Sequence, residues 1–192
     1  MESIKELKEK LRTTRPVGWE QFPDIELYKD QVLSYMQRQA LPSEGEEALT
    51  GAMINNYIKA GVLPRPNGKK YGKEHLAFLT AICALKPVMS VNNMEYLLGK
   101  QGGDVDAKSF YELLNEYIDK AMIDTANNLD NNLEENDLPE YILSIALQAA
   151  GLRIICESLL HIMRQSDNEK EKEKKTQNGT KKEKKENKDD KK

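Results

Sequence analysis

The stretch that decides the fold is residues 50–71, which read TGAMINNYIKAGVLPRPNGKKY. Its first half has the spacing of one helix, because apolar residues recur every three or four positions after Thr50, a favourable N-cap. Gly61 stands where helices commonly end in a left-handed residue. These signals predict a helix over residues 50–60.

The second half of this stretch predicts a small hairpin. Asn67-Gly68 is a strong turn signal, because both residues tolerate the backbone angles of a tight hairpin turn. Pro64 and Pro66 lack a backbone N–H, which confines the first extended piece to a sheet edge. We therefore expect a basic hairpin over residues 64–71.

Helical patterns lie on both sides of this unit. Apolar spacing predicts a helix over 25–40 with Asp24 as its N-cap, and further helices over 73–86 and 90–98. The resulting order of helices and hairpin over residues 25–100 is that of a winged helix-turn-helix. In such a unit, one helix enters the major groove and the hairpin reaches phosphates.

The other segments complete an all-α chain. Residues 1–24 predict a short helix and a linker, and residues 107–165 predict a helical hairpin for dimerisation or effector binding. In that hairpin, the capping-box pattern of Ser109 predicts the start of a helix that runs to about Leu129. Residues 166–192 are rich in Lys and Glu and cannot offset chain entropy by apolar burial, so we expect a disordered tail.

The last predicted helix opens at Leu138-Pro139 and has apolar residues on two sides. One set follows the three-four spacing of a helix-packing seam. Its members are Ile142, Ile145, Ala149, Leu152, Cys156, Leu159 and Met163. Because a helix that is apolar on two sides must be covered on both, we expect this seam to form a dimer interface. The alternative is that residues 1–40 cover it within one chain.

The net charge of −3 hides blocks of opposite sign. Residues 50–86 carry six basic and one acidic side chain, a net of +5, whereas residues 87–166 carry a net of −8. Residues 1–49 have a net charge of −3, and residues 167–192 a net of +3. Since charges are screened within about 8–10 Å, local blocks matter more than the total. The +5 block favours DNA as a partner for that part of the chain.

Other features bear on compartment and membrane association. Cys83 and Cys156 stand outside any CxxC pattern, so neither a disulfide framework nor a zinc knuckle is expected. The chain begins without a signal-peptide pattern, and Arg153 and Glu157 interrupt its longest apolar stretch, which argues against a membrane span. We expect a cytoplasmic protein.

The sequence gives no positive sign of catalysis. It lacks a nucleophile motif, a Gly-rich phosphate loop and an HExxH pattern. His75 and His161 have no second ligand at helical spacing with a third nearby, so no metal site is indicated. We expect no enzymatic activity and no cofactor.

Residues 53–64, MINNYIKAGVLP, together with the later Lys69-Lys70-Tyr71, resemble the DNA-binding domain of the MerR family. The matching positions are Tyr57, Lys59, Gly61, Leu63, Pro64, Lys69 and Tyr71. Asn55 and Asn56 stand where that family has an arginine and an aromatic residue. The resemblance implies a MerR-like winged helix-turn-helix with a small hairpin wing.

A second resemblance covers about residues 19–165 and is to a bacterial family, domain of unknown function 1836. Its motifs are similar to FPDIELYKDQV at 22–32, LTGAMINNYIK at 49–59 and KKYGKEH at 69–75. This resemblance implies a helix-turn-helix role.

Taken together, these patterns predict a DNA-binding face on the 50–60 helix and the hairpin. Its predicted members are Thr50, Asn55, Asn56, Lys59, Arg65, Lys69, Lys70, Tyr71 and Lys73. The amides suit base edges, adenine above all, and the cations suit phosphates. The alternatives are solvated helix asparagines, an ordinary basic surface, and a Tyr71 that packs in the core.

The expected function is a homodimeric transcriptional regulator of MerR-like type, with a small-molecule effector left open. The alternative is an adaptor that keeps the winged-helix fold and contacts protein. The acidic block over residues 87–166 favours that alternative, because it repels DNA and suits a basic partner.

Overall fold

The computed structural model of the 192-residue chain describes residues 3–39, 48–102 and 106–189. It is mostly helical with a small two-stranded antiparallel sheet, as the sequence predicts. The chain divides into two compact units, Met1–Leu143 and Ser144–Lys192.

The elements follow one another along the chain. The helices are α1 (Ile4–Thr13), α2 (Lys29–Met36), α3 (Gly51–Lys59), α4 (Lys73–Leu85), α5 (Val91–Gly102), α6 (Ala107–Asn128) and α7 (Leu138–Asp189). The strands are β1 (Leu27–Tyr28) and β2 (Lys70–Tyr71), and short 3-10 helices lie at Trp19–Gln21 and Glu135–Asp137.

Helix α3 begins and ends as predicted. The Thr50 hydroxyl accepts the N–H three residues on, at 3.2 Å. Gly61 has a φ of +79°, which side-chain-bearing residues rarely adopt. The N–H groups of Val62 and Leu63 donate to the carbonyl of Tyr57 at 3.0 and 3.2 Å. This closure turns the chain back, so that Val62 and Leu63 enter the core.

The predicted turn is present, but its central residues are Gly68 and Lys69 rather than Asn67 and Gly68. Asn67 and Lys70 exchange both backbone hydrogen bonds, at 3.1 and 3.0 Å. Gly68 has a φ of +60°, the left-handed conformation that such a turn requires. We call residues 64–70 the basic loop.

The strand after the turn has a different partner from the one predicted. Instead of residues 64–66, β2 pairs with β1, so that Leu27 faces Tyr71 and Tyr28 faces Lys70. The two prolines in the basic loop cannot donate ladder hydrogen bonds, which leaves β1 as the better partner. The sheet therefore joins the basic loop to the chain just before α2.

The same pairing shortens α2, so the predicted helix over 25–40 is wrong at its start. Because Leu27–Tyr28 is strand, the N-cap is Tyr28 rather than Asp24. Asp24 instead forms an ion pair with Lys73 at 2.7 Å. The predicted end of this helix, at residue 40, lies outside the described residues.

Helices α4 and α5 agree with the sequence. Helix α4 ends at Leu85, just ahead of Pro87, because a residue before proline disfavours the helical region. The Ser90 hydroxyl accepts the Asn93 N–H at 3.3 Å and so caps α5. That helix runs to Gly102, beyond its predicted end at residue 98.

Helix α6 begins three residues earlier than predicted, because its cap is Asp106 rather than Ser109. The Asp106 carboxylate accepts the N–H groups of Lys108 and Ser109 at 3.0 and 3.1 Å, and the Ser109 hydroxyl donates to it at 2.6 Å. A carboxylate three residues before the pattern thus outcompetes the serine for the free N–H groups.

A continuous apolar core holds α2, α3, α4 and α6 together. Its largest fully buried side chains include Val32, Ile54, Leu63, Leu76, Leu79, Ile82, Met94 and Tyr111. The segment before β1 adds aromatic cover, since Phe22 lies 4.7 Å from Tyr111 between ring centroids. The Tyr111 hydroxyl donates to the Val17 carbonyl at 2.7 Å. This core fixes the surface that α3 and the basic loop present.

Helix α7 leaves its apolar residues exposed. All seven residues of the predicted seam are exposed, Leu152 at 64%, and so is Leu147 of the second stripe at 65%. Leu160 is buried. The seam residues are therefore exposed in the described chain, and whether residues 1–40 or a second copy cover them stays a prediction.

The same helix continues to Asp189, through residues where composition predicts a disordered tail. Lys, Glu and Gln have high intrinsic helix propensity, and oppositely charged residues four apart favour a helix further. A polar tail with this composition therefore extends a helix that an apolar segment begins.

One stretch of this helical region, Glu135–Lys170, is long and apolar enough to cross a membrane by length and composition. Its 18-residue window has a mean hydropathy of 1.5, and none of that window is buried. Within it, Arg153 and Glu157 form an ion pair at 3.6 Å.

Candidate nucleic-acid interface

A concavity of about 650 Å³ lies where the start of α2, helix α3 and the basic loop meet. Its charged lining residues are Lys29, Asp30, Arg65 and Lys69, and Asn55 lies beside them. We call it the α3 concavity. It brings together residues of two segments that lie far apart in the sequence, because β1 and β2 pair directly behind it.

Three of the predicted cations are accessible to an external partner. Lys59, Arg65 and Lys69 are exposed. Among residues 3–39, 48–102 and 106–170, no acidic side chain pairs with any of them. Their charge is thus left to solvent and counterions on this surface, which is the state that favours phosphate binding.

The two other predicted cations already have neighbours. The ammonium of Lys70 lies 5.9 Å from the centroid of the Tyr28 ring, within cation–π range. Lys73 donates to Asp24 in the ion pair described above, and this hydrogen bond lowers the pKa of the Asp24 carboxyl. Lys73 is therefore partly neutralised in a way that Lys59 and Lys69 are not.

The predicted asparagines differ in what they contact. Lys29 donates from Nζ to Oδ1 of Asn55 at 2.7 Å. Asn56 is also exposed, but it lies about 100° further round α3. Thr50 serves as the N-cap of the same helix, so its hydroxyl is directed to the helix N-terminus.

Tyr71 is placed beneath the surface, only 3% exposed. Its ring meets His75 edge-on at 5.4 Å, and burial raises the pKa of its phenol. A neutral tyrosine packed in this way supports the basic loop, which is the packing alternative that the sequence left open.

His75 ties the basic loop to α4. Its Nδ1 accepts the Gly72 N–H at 3.0 Å, which leaves Nε2 as the donor nitrogen of the ring. That Nε2 is buried without a partner in the part of the chain that the structure describes. The ring is 3% exposed, and its position is that of a structural cap.

Sequence reasoning missed Lys29. The residue belongs to the block with net charge −3, outside the basic stretch, and it falls inside a predicted helix. Only the pairing of β1 with β2 brings it to Asn55. Its place in the 22–32 motif was the one available signal.

No group of three or more His, Cys, Asp or Glu side chains suited to a metal ion occurs in the described part of the chain. Neither Cys83, which is half-buried, nor Cys156, which is exposed, forms a disulfide among the described residues.

The sequence that forms this surface is similar to a known protein family. A family model described as Domain of unknown function (DUF1836) matches residues 17–120. The chain belongs to this family. All residues that line the α3 concavity lie within the DUF1836 range, whereas α7 lies beyond it. No curated protein and no solved structure matches the chain.

Proposed function

We propose that this DUF1836 protein binds DNA through α3 and the basic loop, and that it acts as a transcriptional regulator of MerR-like winged-helix type. The observation that carries the proposal is a group of three exposed cations, Lys59, Arg65 and Lys69, around a helix with outward asparagines. No acidic side chain in the described ranges pairs with these cations. Cations of this kind supply the sequence-independent part of DNA affinity.

The element order supports a winged-helix arrangement. Helix α3, the basic loop and helix α4 follow one another as the reading helix, the wing and the supporting helix do in that architecture. Asn55 and Asn56 lie on the outer side of α3, where amides can reach base edges in the major groove.

The negative charge of residues 87–166 supports the proposal that DNA contacts only the basic part of the chain. Residues 87–166 have a net charge of −8, against +5 for residues 50–86. DNA is therefore attracted to one face and repelled from others, which keeps non-specific binding low.

We also propose that a second copy covers the exposed seam of α7. Helix-turn-helix proteins commonly read two half-sites as dimers, and the three-four spacing of the seam suits helix pairing. A lipid bilayer is the competing occupant of this apolar helix. Arg153 and Glu157 weigh against it, because each charge near a bilayer centre costs roughly 2.5–3.5 kcal/mol on insertion scales. A cytoplasmic location belongs to the same proposal.

One observation favours a second candidate function, an adaptor that binds protein. The long apolar surface of α7 is exposed, and the segment that includes it is acidic. If this candidate is right, a tagged copy will enrich one protein from cells, and nuclease treatment will leave that enrichment unchanged.

Capture of bound DNA across the genome tests regulation directly. The tagged chain should enrich a limited set of sites close to promoters, and a Lys59→Gln/Arg65→Gln/Lys69→Gln variant should lose them. The matched control, Lys5→Gln/Lys10→Gln/Lys120→Gln, removes the same charge from α1 and α6 and should keep the sites. Equal enrichment by both variants would refute the proposed face.

A further inference from the structure

The α3 concavity contains a contact that bears on which base is read. Lys29 Nζ donates to Asn55 Oδ1 at 2.7 Å, and both side chains face the same space. The stem of Lys29 passes beside Gly51, with its Cδ 3.4 Å from where a Cβ would stand. The stem of Lys29 therefore lies in contact range of the first turn of α3.

This contact changes the chemistry that Asn55 offers. An asparagine that reads adenine must accept a hydrogen bond from N6 through Oδ1 while its amide nitrogen donates to N7. Here Oδ1 already accepts from a cation, and the adjacent positive charge repels another N–H donor. The groups that remain available to a DNA base are the NH2 group of Asn55 and the other N–H bonds of Lys29. All of these groups are hydrogen-bond donors.

We propose that Lys29 and Asn55 act as a unit that reads the O6 and N7 acceptors of guanine in the major groove. This inference rests on the proposed DNA-binding function and deepens it. Guanine presents two acceptors side by side, whereas adenine presents one acceptor and one donor. A donor-only pair therefore matches guanine and mismatches adenine.

A DNA phosphate also offers hydrogen-bond acceptors, so the donors of Lys29 and Asn55 fit either a guanine or a phosphate. Asp30 favours the guanine. Asp30 lines the same concavity, and its negative charge disfavours a phosphate there. On a G·C pair, the cytosine N4 amino group lies next to guanine O6, and a carboxylate is its preferred acceptor. Lys29 and Asn55 thus supply donors for guanine N7 and O6, and Asp30 supplies an acceptor for cytosine N4. This set complements the order of groups on a G·C pair in the major groove.

Selection of bound duplexes from a random pool tests the inference. Wild type should enrich G·C at one position of each half-site, over A·T by about 5- to 150-fold, the range for one bidentate contact. Lys29→Met should weaken that preference and move it toward adenine, because Oδ1 of Asn55 becomes free. Asn55→Ala should remove the preference without creating another, and Lys59→Gln should lower affinity for all sequences alike.

Replacing the selected guanine by 7-deazaguanine removes the N7 acceptor and separates base reading from phosphate binding. Wild type should lose affinity for this duplex, whereas Lys29→Met and Asn55→Ala should not. If Lys29→Met instead lowers affinity equally for every sequence, the pair binds phosphate and the inference is overturned. If wild type binds no DNA at all, the proposed function fails and this inference fails with it.

Discussion

Whether a basic side chain is available to a phosphate depends on the contacts that it already makes. Lys59, Arg65 and Lys69 face solvent, whereas Lys73 is held by Asp24 at 2.7 Å. Five cations that look equivalent in the sequence therefore differ in what they can contribute. The sequence alone could not separate them, because Asp24 was expected to cap a helix and instead lies across from Lys73.

The Asp24–Lys73 ion pair leads to a prediction about the direction in which DNA affinity changes. Asp24→Asn frees Lys73 and removes a negative charge, so DNA affinity should rise by a few-fold, whereas Lys73→Gln should change it little. Lys69→Gln should lower it by about 5- to 10-fold near 0.1 M salt, the effect of one lost phosphate contact. Fluorescence anisotropy with one duplex measures all three variants. A larger loss for Lys73→Gln than for Lys69→Gln would contradict this account.

The pH dependence of folding is a second prediction at the scale of residues. Hydrogen bonds from Ser109 and from the first N–H groups of α6 lower the pKa of the Asp106 carboxyl. A lowered pKa gives stability that is present above the normal carboxyl range and is lost as pH falls through the shifted value. Asp106→Ser keeps a cap but does not titrate, so its melting temperature should fall less between neutral pH and pH values below about 4. Parallel melting curves would show no such difference if Asp106 were unimportant.

At the scale of elements, local signals predicted helices well and the sheet poorly. Helix α3 follows from its Thr50 cap and Gly61 stop, both of which depend on neighbours within a few residues. Strands β1 and β2 have two residues each, too short for alternation to appear. Their pairing joins segments about forty residues apart, and it sets both the start of α2 and the position of Lys29. The basic residues of the 50–73 stretch were therefore predictable, but Lys29 and the concavity were not.

Two glycine replacements test the closure of α3. Gly61 has a φ of +79°, so Gly61→Ala should lower the free energy of unfolding by about 1–2 kcal/mol. Gly99 lies within α5 with no atom within 4 Å of an added Cβ, so Gly99→Ala should raise it by up to about 1 kcal/mol. Urea denaturation measures both. Replacing glycine by alanine is thus predicted to lower the free energy of unfolding at one position and to raise it at the other. Equal effects at both positions would contradict the assigned backbone conformations.

At the scale of the whole molecule, charge and apolar surface have separate places. The basic surface belongs to the unit Met1–Leu143, and the exposed apolar seam of α7, apart from Ile142, belongs to the unit Ser144–Lys192. The seam was predicted from spacing, and its residues are exposed in the described chain, so the proposed second copy has an apolar surface to cover. What that partner is could not be read from the sequence, because apolar spacing is the same for a helix and for lipid.

Assembly through α7 can be tested with matched variants. Wild type should sediment as a dimer at micromolar concentration, and Leu152→Glu on the seam should convert it to a monomer. Leu147→Glu, at a position of similar exposure on the other stripe, should leave the dimer intact. Recovery of wild type in the membrane fraction would instead assign α7 to the bilayer.

The measurement that most directly tests the central claim is the salt dependence of DNA binding. Duplex DNA is titrated with wild type and with the Lys59→Gln/Arg65→Gln/Lys69→Gln variant between about 50 and 200 mM salt, where counterion release controls affinity. Each phosphate contact contributes about 0.9 to the slope of log affinity against log salt, so the variant should be shallower by about 2.7. The charge-matched variant of Lys5, Lys10 and Lys120 should keep the slope of wild type. Weak binding without a salt slope, or one common slope for all three proteins, would contradict DNA recognition by this face.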